Sequence, residues 1–206
     1  MKKIINLIGA SGSGKTTVAR ELEKQLPHKV NIIQSYTNRP PREDEEWGHT
    51  FIKNPLEVGH TDPMTLIEYM DEGSNKEYEN IIAYFNSYKS GHHYFATDEQ
   101  VVEGKTNIYI VDSKGAKQVH EYYESNPEVK VITVYLQADR YVRSSRLARR
   151  LRDSQGGVIE NIDDYQAEVV DRLDVDDKLF DTVKCDYVID GNNNIKSTVN
   201  KIVKLI

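Results

Sequence analysis

A glycine-rich stretch near the start of the chain constrains the fold more than any other part of the sequence. The stretch GASGSGKT, residues 9–16, satisfies the pattern G-x-x-x-x-G-K-[ST]. The branched apolar run IINLIG leads into it, and the helical pattern KTTVARELEKQL continues from it with apolar residues four positions apart. Strand, glycine turn and helix together are the context in which this pattern forms a phosphate-binding P-loop.

The residue types of this loop suit a nucleoside triphosphate. Glycines let consecutive backbone N–H groups turn toward phosphate oxygens, and the N-terminus of the following helix adds partial positive charge. We expect Lys15 to reach the β- and γ-phosphates and the Thr16 hydroxyl to hold Mg²⁺. The loop therefore predicts triphosphate binding, but it does not specify the reaction.

Three later segments repeat the succession of strand and helix. The runs NIYIVD (residues 107–112), VKVITVYL (129–136) and DYVID (186–190) are apolar and branched, and each precedes a segment compatible with a helix. Strands that alternate with helices predict an α/β fold built on a parallel sheet. At 206 residues, the length favours one domain with insertions.

Composition argues against nucleic-acid binding, an internal disulfide and a membrane helix. Apolar residues make up 38% and charged residues 29%, and the net charge of −6 argues against nonspecific binding to nucleic acid. Cys185 is the single cysteine, so an internal disulfide is impossible, and a reducing cytoplasm is the expected compartment. No segment approaches the ~20 continuous apolar residues of a membrane helix. We expect small-molecule partners; the sequence leaves the oligomeric state open.

A GTPase is the first alternative that the P-loop raises. The stretch DSKG, residues 112–115, has the D-x-x-G form that contacts magnesium and the γ-phosphate in GTPases. A GTPase would also need an N-K-x-D guanine reader, and the two Asn-Lys pairs of the chain have no Asp two residues further on. The GTPase interpretation is therefore weak.

Two arginine clusters indicate a reaction between two phosphate groups. QSYTNRPPRED holds Arg39 and Arg42 around a stiff Pro-Pro pair, and RYVRSSRLARRLR places Arg143, Arg146 and Arg150 on one helical face. Phosphoryl transfer to an acceptor that is itself a phosphate requires cations on both sides. A surface turn that pairs with Glu43–Glu46, and an ordinary solvated helix, remain open for the two segments taken alone.

Two further regions depart from the rhythm of the core. Residues 36–97 are polar and rich in tyrosine and turn-forming residues, which predicts an inserted subdomain, and residues 152–165 are interpreted as a mobile flap. The acidic set near the end of the chain is interpreted as a solvated face; it consists of Asp174, Asp176, Asp177 and Asp181.

Several segments resemble the guanylate kinase family. SYTNRPPREDEEWGHTF resembles the family's S-x-T-T-R-x-P-R-x-x-E-x-x-G-x-x-Y-x-F, HHYFAT resembles G-N-Y-Y-G-[ST], and IYIVDSKGAKQV is similar to L-D-I-D-x-Q-G-A-x-x-V. RLARR is similar to the lid sequence R-L-x-x-R, and VVDRL to the later R-R-L. The matches follow the family's order from the P-loop to Asp190, span nearly the whole chain, and include an arginine-proline segment specific to this family.

The resemblance implies a P-loop nucleoside monophosphate kinase. It implies a parallel-sheet core (residues 1–35, 98–143 and 173–206), an inserted acceptor-binding subdomain (36–97) and a short helical lid (144–172). It further implies ATP as phosphoryl donor, Mg²⁺ as cofactor and a nucleoside monophosphate as acceptor, in the first place GMP or dGMP.

The resemblance also assigns roles by position. It implies that ATP is bound by Gly9, Ala10, Ser11, Gly12, Ser13, Gly14, Lys15, Thr16, Thr17 and Asp190. It implies that the acceptor is bound by Ser35, Arg39, Arg42, Phe95, Thr97 and Asp112. The catalytic set that it implies is Lys15, Arg39, Arg146, Arg150 and Arg172, with Thr16 as the protein's ligand to the metal.

The chain departs from the family where the guanine base is read. Phe95 replaces the second tyrosine of the Y-Y pair, the tyrosine of the arginine segment is His49 or Thr50, and the segment IIAYFNSYKSG lacks the family's guanine-reading glutamate. Loss of that carboxylate could lower discrimination by ~10²-fold or more. A kinase for another (deoxy)nucleoside monophosphate therefore stays open, as does a guanylate-kinase-like module that binds phosphopeptides, although such modules typically have a degraded P-loop.

Overall fold

A five-stranded parallel sheet is the main layer of the computed structural model, which describes residues 1–41, 47–51, 80–87, 91–154, 161–180 and 183–206. Its strand order is β2-β7-β1-β8-β9, and every pairing within it is parallel. The bounds of these strands are β1 Lys2–Ile8, β2 Val30–Ile33, β7 Thr106–Ile110, β8 Val129–Gln137 and β9 Tyr187–Asp190. The predicted α/β class with a parallel sheet is confirmed.

Five α-helices are present in the part of the chain that the structure describes. They are α1 Lys15–Gln25, α2 Ser113–Tyr123, α3 Arg140–Ser154, α4 Ile162–Phe180 and α5 Ile195–Val203. No helix among the described residues is long and apolar enough to cross a membrane.

Helices cover both faces of the sheet, which explains why its strands are continuously apolar. Successive side chains of a strand point to opposite faces, so Ile4 and Ile5 of β1 enter two separate cores. Ile5 lies in the cluster that contains the buried face of α1 and α5, whereas Ile4 lies in the cluster that contains Val119 and Tyr123 of α2. Both β1 residues are fully buried.

A second sheet occupies the region where the sequence predicts an inserted subdomain. Its order is β4-β3-β6-β5, with β3 parallel to β4 and the other pairs antiparallel. Its strands are β3 Ser35–Thr37, β4 His49–Phe51, β5 Ile81–Ser87 and β6 His92–Thr97. This sheet contacts the core through α2, where Ile82 and Ala83 of β5 pack with Val119. The backbone N–H of Tyr84 also donates to the side chain of Gln118, at 2.9 Å.

Helices α3 and α4 pack against each other in the region of the predicted lid. Leu147 of α3 forms a small apolar cluster with Val169 and Leu173 of α4. The centre of the predicted flap, residues 155–160, lies outside the described residues, and its two flanks belong to α3 and α4. Helix α4 continues to Phe180, eight residues beyond the predicted lid boundary at 172.

Candidate phosphate-binding site

The glycine-rich loop follows β1 and turns directly into α1. Gly12 and Gly14 have φ angles of +77° and +102°, in the left-handed region that other residues rarely adopt. The backbone N–H of Ser13 donates to the carbonyl of Ala10 at 3.1 Å, which closes the turn. The loop therefore has the conformation that the G-x-x-x-x-G-K-[ST] pattern predicts, with the N-terminus of an 11-residue helix behind it.

Lys15 folds back over its own loop. Its Nζ donates to the carbonyl oxygen of Gly9 at 2.5 Å and to that of Ala10 at 3.1 Å. Burial lowers the pKa of Lys15 to about 8; Asp176 acts in the opposite direction, and Arg150 and Arg143 reinforce the lowering. The ammonium is therefore still mostly protonated near neutral pH. Its two partners are carbonyl dipoles, which a phosphate oxygen can replace.

Helix α3 brings its arginines to the same loop. Arg146 donates through Nη1 to the carbonyls of Gly12 and Ser13, at 3.1 and 3.2 Å, and through Nη2 to that of Gly191, at 2.9 Å. Arg150 lies close enough to lower the pKa of Lys15. Of the three predicted lid arginines, the structure thus places Arg146 in contact with the P-loop and Arg150 near enough to act electrostatically on Lys15.

The third predicted lid arginine, Arg172, has a different neighbour. It lies on α4 and forms an ion pair with Glu168, four residues earlier on the same helix, at 3.3 Å. Its catalytic role therefore stays a prediction that this conformation does not test.

The acidic residues of α4 correct one interpretation of the sequence, because they do not form a merely solvated face. Asp176 Oδ2 accepts a hydrogen bond from the backbone N–H of Ser11 in the P-loop, at 2.6 Å. Asp174 pairs with Arg140 at 2.6 Å, and Asp177 pairs with Arg140 and Arg143 of α3. Asp181 lies outside the described residues.

The pKa of Asp177 reflects these ion pairs. Burial alone would raise the pKa of its carboxyl group, but hydrogen bonds from Arg140 and Arg143 outweigh burial and lower it. A sequence signal for the contact exists in retrospect. Arg140 and Arg143 are three residues apart on one helix, and Asp174 and Asp177 are three apart on the next, so complementary charges line the facing surfaces.

The predicted acceptor side of the site begins at the edge of the sheet where β2 and β7 end. Ser35 follows β2 and is buried, with its hydroxyl 3.4 Å from the phenol oxygen of Tyr109. Burial raises the pKa of Tyr109 to about 12. Asp112 follows β7, and its Oδ1 accepts from the backbone N–H of Gly115 at 2.6 Å, which caps α2. β2 and β7 are neighbours, so both residues lie at the carboxyl edge of the sheet, as the P-loop does.

Arg39 extends from the inserted sheet. Its Nη1 donates to the carbonyl of Pro40 at 3.0 Å, and its guanidinium carbon lies 5.3 Å from the ring centroid of Phe51. The backbone N–H of Arg39 donates to the Thr37 hydroxyl at 3.2 Å. Arg42, its predicted partner in clamping phosphate, lies outside the described residues.

The remaining predicted residues have structural contacts of their own. Phe95 is 1% exposed and packs 5.3 Å from the ring of Tyr36, and the backbone N–H of Thr97 donates to the side chain of Gln100 at 3.1 Å. The Asp190 carboxylate accepts from the backbone of Asn192 at 2.8 Å and from the side chain of Asn193 at 2.7 Å. Their predicted roles toward nucleotides remain predictions.

The donor set suits magnesium only with help from a nucleotide. Thr16 and Thr17 are exposed residues in the first turn of α1. Among the residues that the structure describes, no group of three or more His, Cys, Asp or Glu side chains could hold a metal ion. Mg²⁺ commonly takes few protein ligands and keeps phosphate and water oxygens, so this site fits it as a complex with ATP.

The chain is similar in sequence to several known proteins. A family model described as an AAA domain matches residues 5–171. The guanylate kinase of Mesomycoplasma hyopneumoniae is 24% identical, with 100% of this chain and 94% of that protein covered. The guanylate kinase of Synechocystis sp. is 24% identical over 99% of this chain and 93% of its own length.

A solved structure gives the same result for the fold. The crystal structure of guanylate kinase from Anaplasma phagocytophilum superposes with a TM-score of 0.52 at 20% sequence identity. The superposition covers 100% of this chain and 86% of that one.

Proposed function

The chain belongs to the AAA-domain family of P-loop proteins and to the guanylate kinase family, and from that premise we propose that it transfers the γ-phosphoryl group of ATP to GMP or dGMP, giving GDP or dGDP. The observation that carries the proposal is the contact between Arg146 and the P-loop carbonyls of Gly12 and Ser13. That contact joins a second cationic group to the triphosphate site, which transfer between two phosphates requires and simple nucleotide binding does not.

The proposed reaction needs alignment and charge neutralisation rather than a general base. The acceptor phosphate is already a competent nucleophile near neutral pH. Lys15 leaves the carbonyl of Gly9 to bind the β- and γ-phosphates, and Arg146 and Arg150 neutralise the transferring group, with Arg172 joining them when the lid closes. Lid closure excludes water, which protects ATP from hydrolysis.

Arg39, Arg42 and Ser35 hold the acceptor's phosphate in this proposal. Two guanidinium groups clamp a phosphate through paired, charge-assisted hydrogen bonds. The proposal assigns Thr97, Asp112 and the buried Phe95 to the side of the acceptor's base, and Asp190 to the side of the ATP adenosine.

Magnesium is the proposed cofactor. The Thr16 hydroxyl would hold it together with the ATP phosphates, and the ion when bound would neutralise charge that develops on the β- and γ-phosphates.

The proposed enzyme consists of the core residues 1–35, 98–143 and 173–206, the acceptor-binding insertion 36–97 and the lid 144–172. Its partners are small nucleotides, and a cytoplasmic location is part of the proposal.

A different (deoxy)nucleoside monophosphate is the second candidate acceptor. The strands β5 and β6 contain no Asp or Glu that could accept from the N–H groups of guanine. Tyr84 of β5 and His93 of β6 contact each other, with the Tyr84 oxygen 2.7 Å from His93 Nδ1. A phenol and an imidazole can each donate or accept a hydrogen bond, so this pair is compatible with bases other than guanine.

Measurement of ADP release with ATP and each of GMP, dGMP, AMP, CMP, UMP and dTMP tests the proposal. We expect GMP or dGMP to give the highest kcat/KM. A different preferred monophosphate would overturn the acceptor assignment and leave the reaction class intact. ADP release that no monophosphate raises above the rate with ATP alone would overturn the kinase, and binding of phosphopeptides without ATP would favour a recognition module.

A further inference from the structure

We propose that Asp176 is an internal competitor for the nucleotide's phosphates, whose carboxylate occupies the P-loop until a triphosphate displaces it. The proposal concerns the same loop as the proposed function and relies on that function only for the name of the displacing ligand, ATP. The P-loop pattern does not include or predict this contact, because Asp176 lies 165 positions from its partner Ser11 in the sequence.

The contact engages a backbone N–H group of the P-loop itself. Backbone N–H groups of such a loop bind phosphate oxygens, and a carboxylate oxygen is chemically similar: anionic, and an acceptor of charge-assisted hydrogen bonds. Asp176 Oδ2 lies 2.6 Å from the Ser11 nitrogen, and the Asp176 side chain is only 13% exposed. The carboxylate therefore lies against the loop rather than in solvent, on the side of Lys15, whose pKa it raises. A triphosphate that binds Lys15 would meet this negative charge.

Arg143 holds Asp176 in this position without satisfying its own hydrogen-bonding capacity. Arg143 is 4% exposed; its Nε donates to the carbonyl of Ala138 at 3.1 Å, and its Nη2 pairs with Asp177. Its Nη1 lies 3.9 Å from Asp176 Oδ2, beyond hydrogen-bond distance, and within the described part of the chain this buried atom has no hydrogen-bond partner. A buried guanidinium donor without an acceptor beside the P-loop is a group that an incoming phosphate oxygen can satisfy.

The two features make Asp176 of α4 compete with a triphosphate for the P-loop. A triphosphate beside the Asp176 carboxylate would bring like charges together in a partly buried site, which is unfavourable. Binding of ATP therefore favours a state in which α4 has moved its carboxylate off Ser11. When a ligand must first displace an internal group, its apparent dissociation constant is raised by a factor set by the equilibrium constant of that displacement.

Affinity measurements on an Asp176 variant test the proposal. Isothermal titration calorimetry would measure binding of magnesium with a non-hydrolysable ATP analogue, and separately of inorganic tripolyphosphate, to the full chain. We expect Asp176→Ala to bind both probes about tenfold more tightly than the unaltered protein, the factor expected when one charge-assisted hydrogen bond no longer has to be displaced. Asp176→Asn keeps an acceptor oxygen without the charge, and should fall between the two.

Asp174→Ala is the matched control. It removes the same charge from the same helix, two residues away, but its partner is Arg140 and not the P-loop. We expect this variant to change affinity by less than about twofold. Thermal unfolding without ligand identifies any variant that fails to fold, and Asp176→Asn, the more conservative change, then decides.

Unchanged or weaker binding by folded Asp176 variants would overturn the proposal. Weaker binding would mean that Asp176 contributes to nucleotide affinity, for example by contacting the magnesium bound to the nucleotide. An equal gain in affinity from Asp174→Ala would also overturn it, because the loss of any negative charge from this part of α4 would then explain the result. Tripolyphosphate needs no acceptor and no catalysis, so failure of the kinase proposal in the monophosphate panel is a separate result from failure here.

Discussion

The ammonium of Lys15 lies 2.5 Å from the carbonyl oxygen of Gly9, the first residue of its own loop. An ammonium held by carbonyl dipoles can transfer to a phosphate, which carries full charge. We expect Lys15→Ala to lower turnover of the best monophosphate by at least ~10²-fold, since the variant loses charge stabilisation at the transferring group. A coupled assay for ADP measures the rate.

Lys24→Ala is the control for the Lys15 variant. Lys24 is exposed in the last turn of the same helix, so its loss removes an equal charge far from the phosphates. Its turnover should stay within about twofold of the unaltered enzyme. Full activity of Lys15→Ala would mean that the loop does not bind the triphosphate as proposed.

Arg39 is expected to act on the acceptor side of the reaction. Its guanidinium donates to the carbonyl of Pro40 and lies over Phe51, next to the turn formed by the Pro-Pro pair. We expect Arg39→Ala to reduce turnover by at least ~10²-fold, with little change in the affinity for ATP, because alignment of the acceptor phosphate is lost. Steady-state kinetics with each substrate varied in turn separates the two effects.

Arg149→Ala provides the comparison for Arg39, because the side chain of Arg149 is 78% exposed and its described ion pair is with Asp153, four residues further along the same helix. We expect near-normal kinetics from it. Equal losses of ATP and acceptor affinity in Arg39→Ala would contradict the assignment of Arg39 to the acceptor.

The sequence predicted those features whose physical cause is local. The P-loop depends on a few consecutive residues with special backbone conformations, and the predicted strand at its start became β1 with a shift of two residues at its first position. The β2 strand, Val30–Ile33, was not predicted, because four residues, of which three are apolar and one is Asn31, give too short a pattern to assign.

The site residues that the sequence analysis misread depend on which helices become neighbours. Asp174, Asp176 and Asp177 are interspersed with apolar residues of α4, and such a pattern is typical of a solvated helix face. Only the packing of α4 on α3 and the P-loop shows that they meet Arg140, Arg143 and Ser11. Periodicity gives the face on which a residue lies, but not the partner of that face.

Gly12 has two separate reasons to be glycine, and a second glycine allows them to be distinguished. Gly12 and Gly104 both have φ of +77°. A Cβ on Gly12 would lie 2.8 Å from the carbonyl oxygen of Arg143, whereas a Cβ on Gly104 would meet nothing within 4 Å. We expect Gly104→Ala to lower the free energy of unfolding by ~1 kcal/mol from backbone strain alone, and Gly12→Ala to lower it by more.

Urea unfolding of both variants measures this difference. The clash should also push α3 off the P-loop, so Gly12→Ala should lose affinity for the ATP analogue by ~10-fold or more, while Gly104→Ala keeps it. Equal destabilisation of the two variants would show that the approach of Arg143 to the loop has no energetic consequence.

Trp47 connects the inserted region to the core, and this connection has a measurable energy. The indole Nε1 donates to Glu23 Oε2 of α1 at 2.8 Å, and the guanidinium carbon of Arg20 lies 5.1 Å from the ring centroid. We expect Trp47→Phe to lower the free energy of unfolding by ~1–3 kcal/mol, because a hydrogen bond to a charged acceptor is lost along with some packing. Urea unfolding followed by circular dichroism measures this change, because that signal does not depend on the tryptophan fluorescence that the variant lacks.

A double variant tests whether the two side chains interact. The variant that carries both Trp47→Phe and Glu23→Ala should be less destabilised than the sum of the two single effects. Additive effects would mean that Trp47 and Glu23 do not interact in solution.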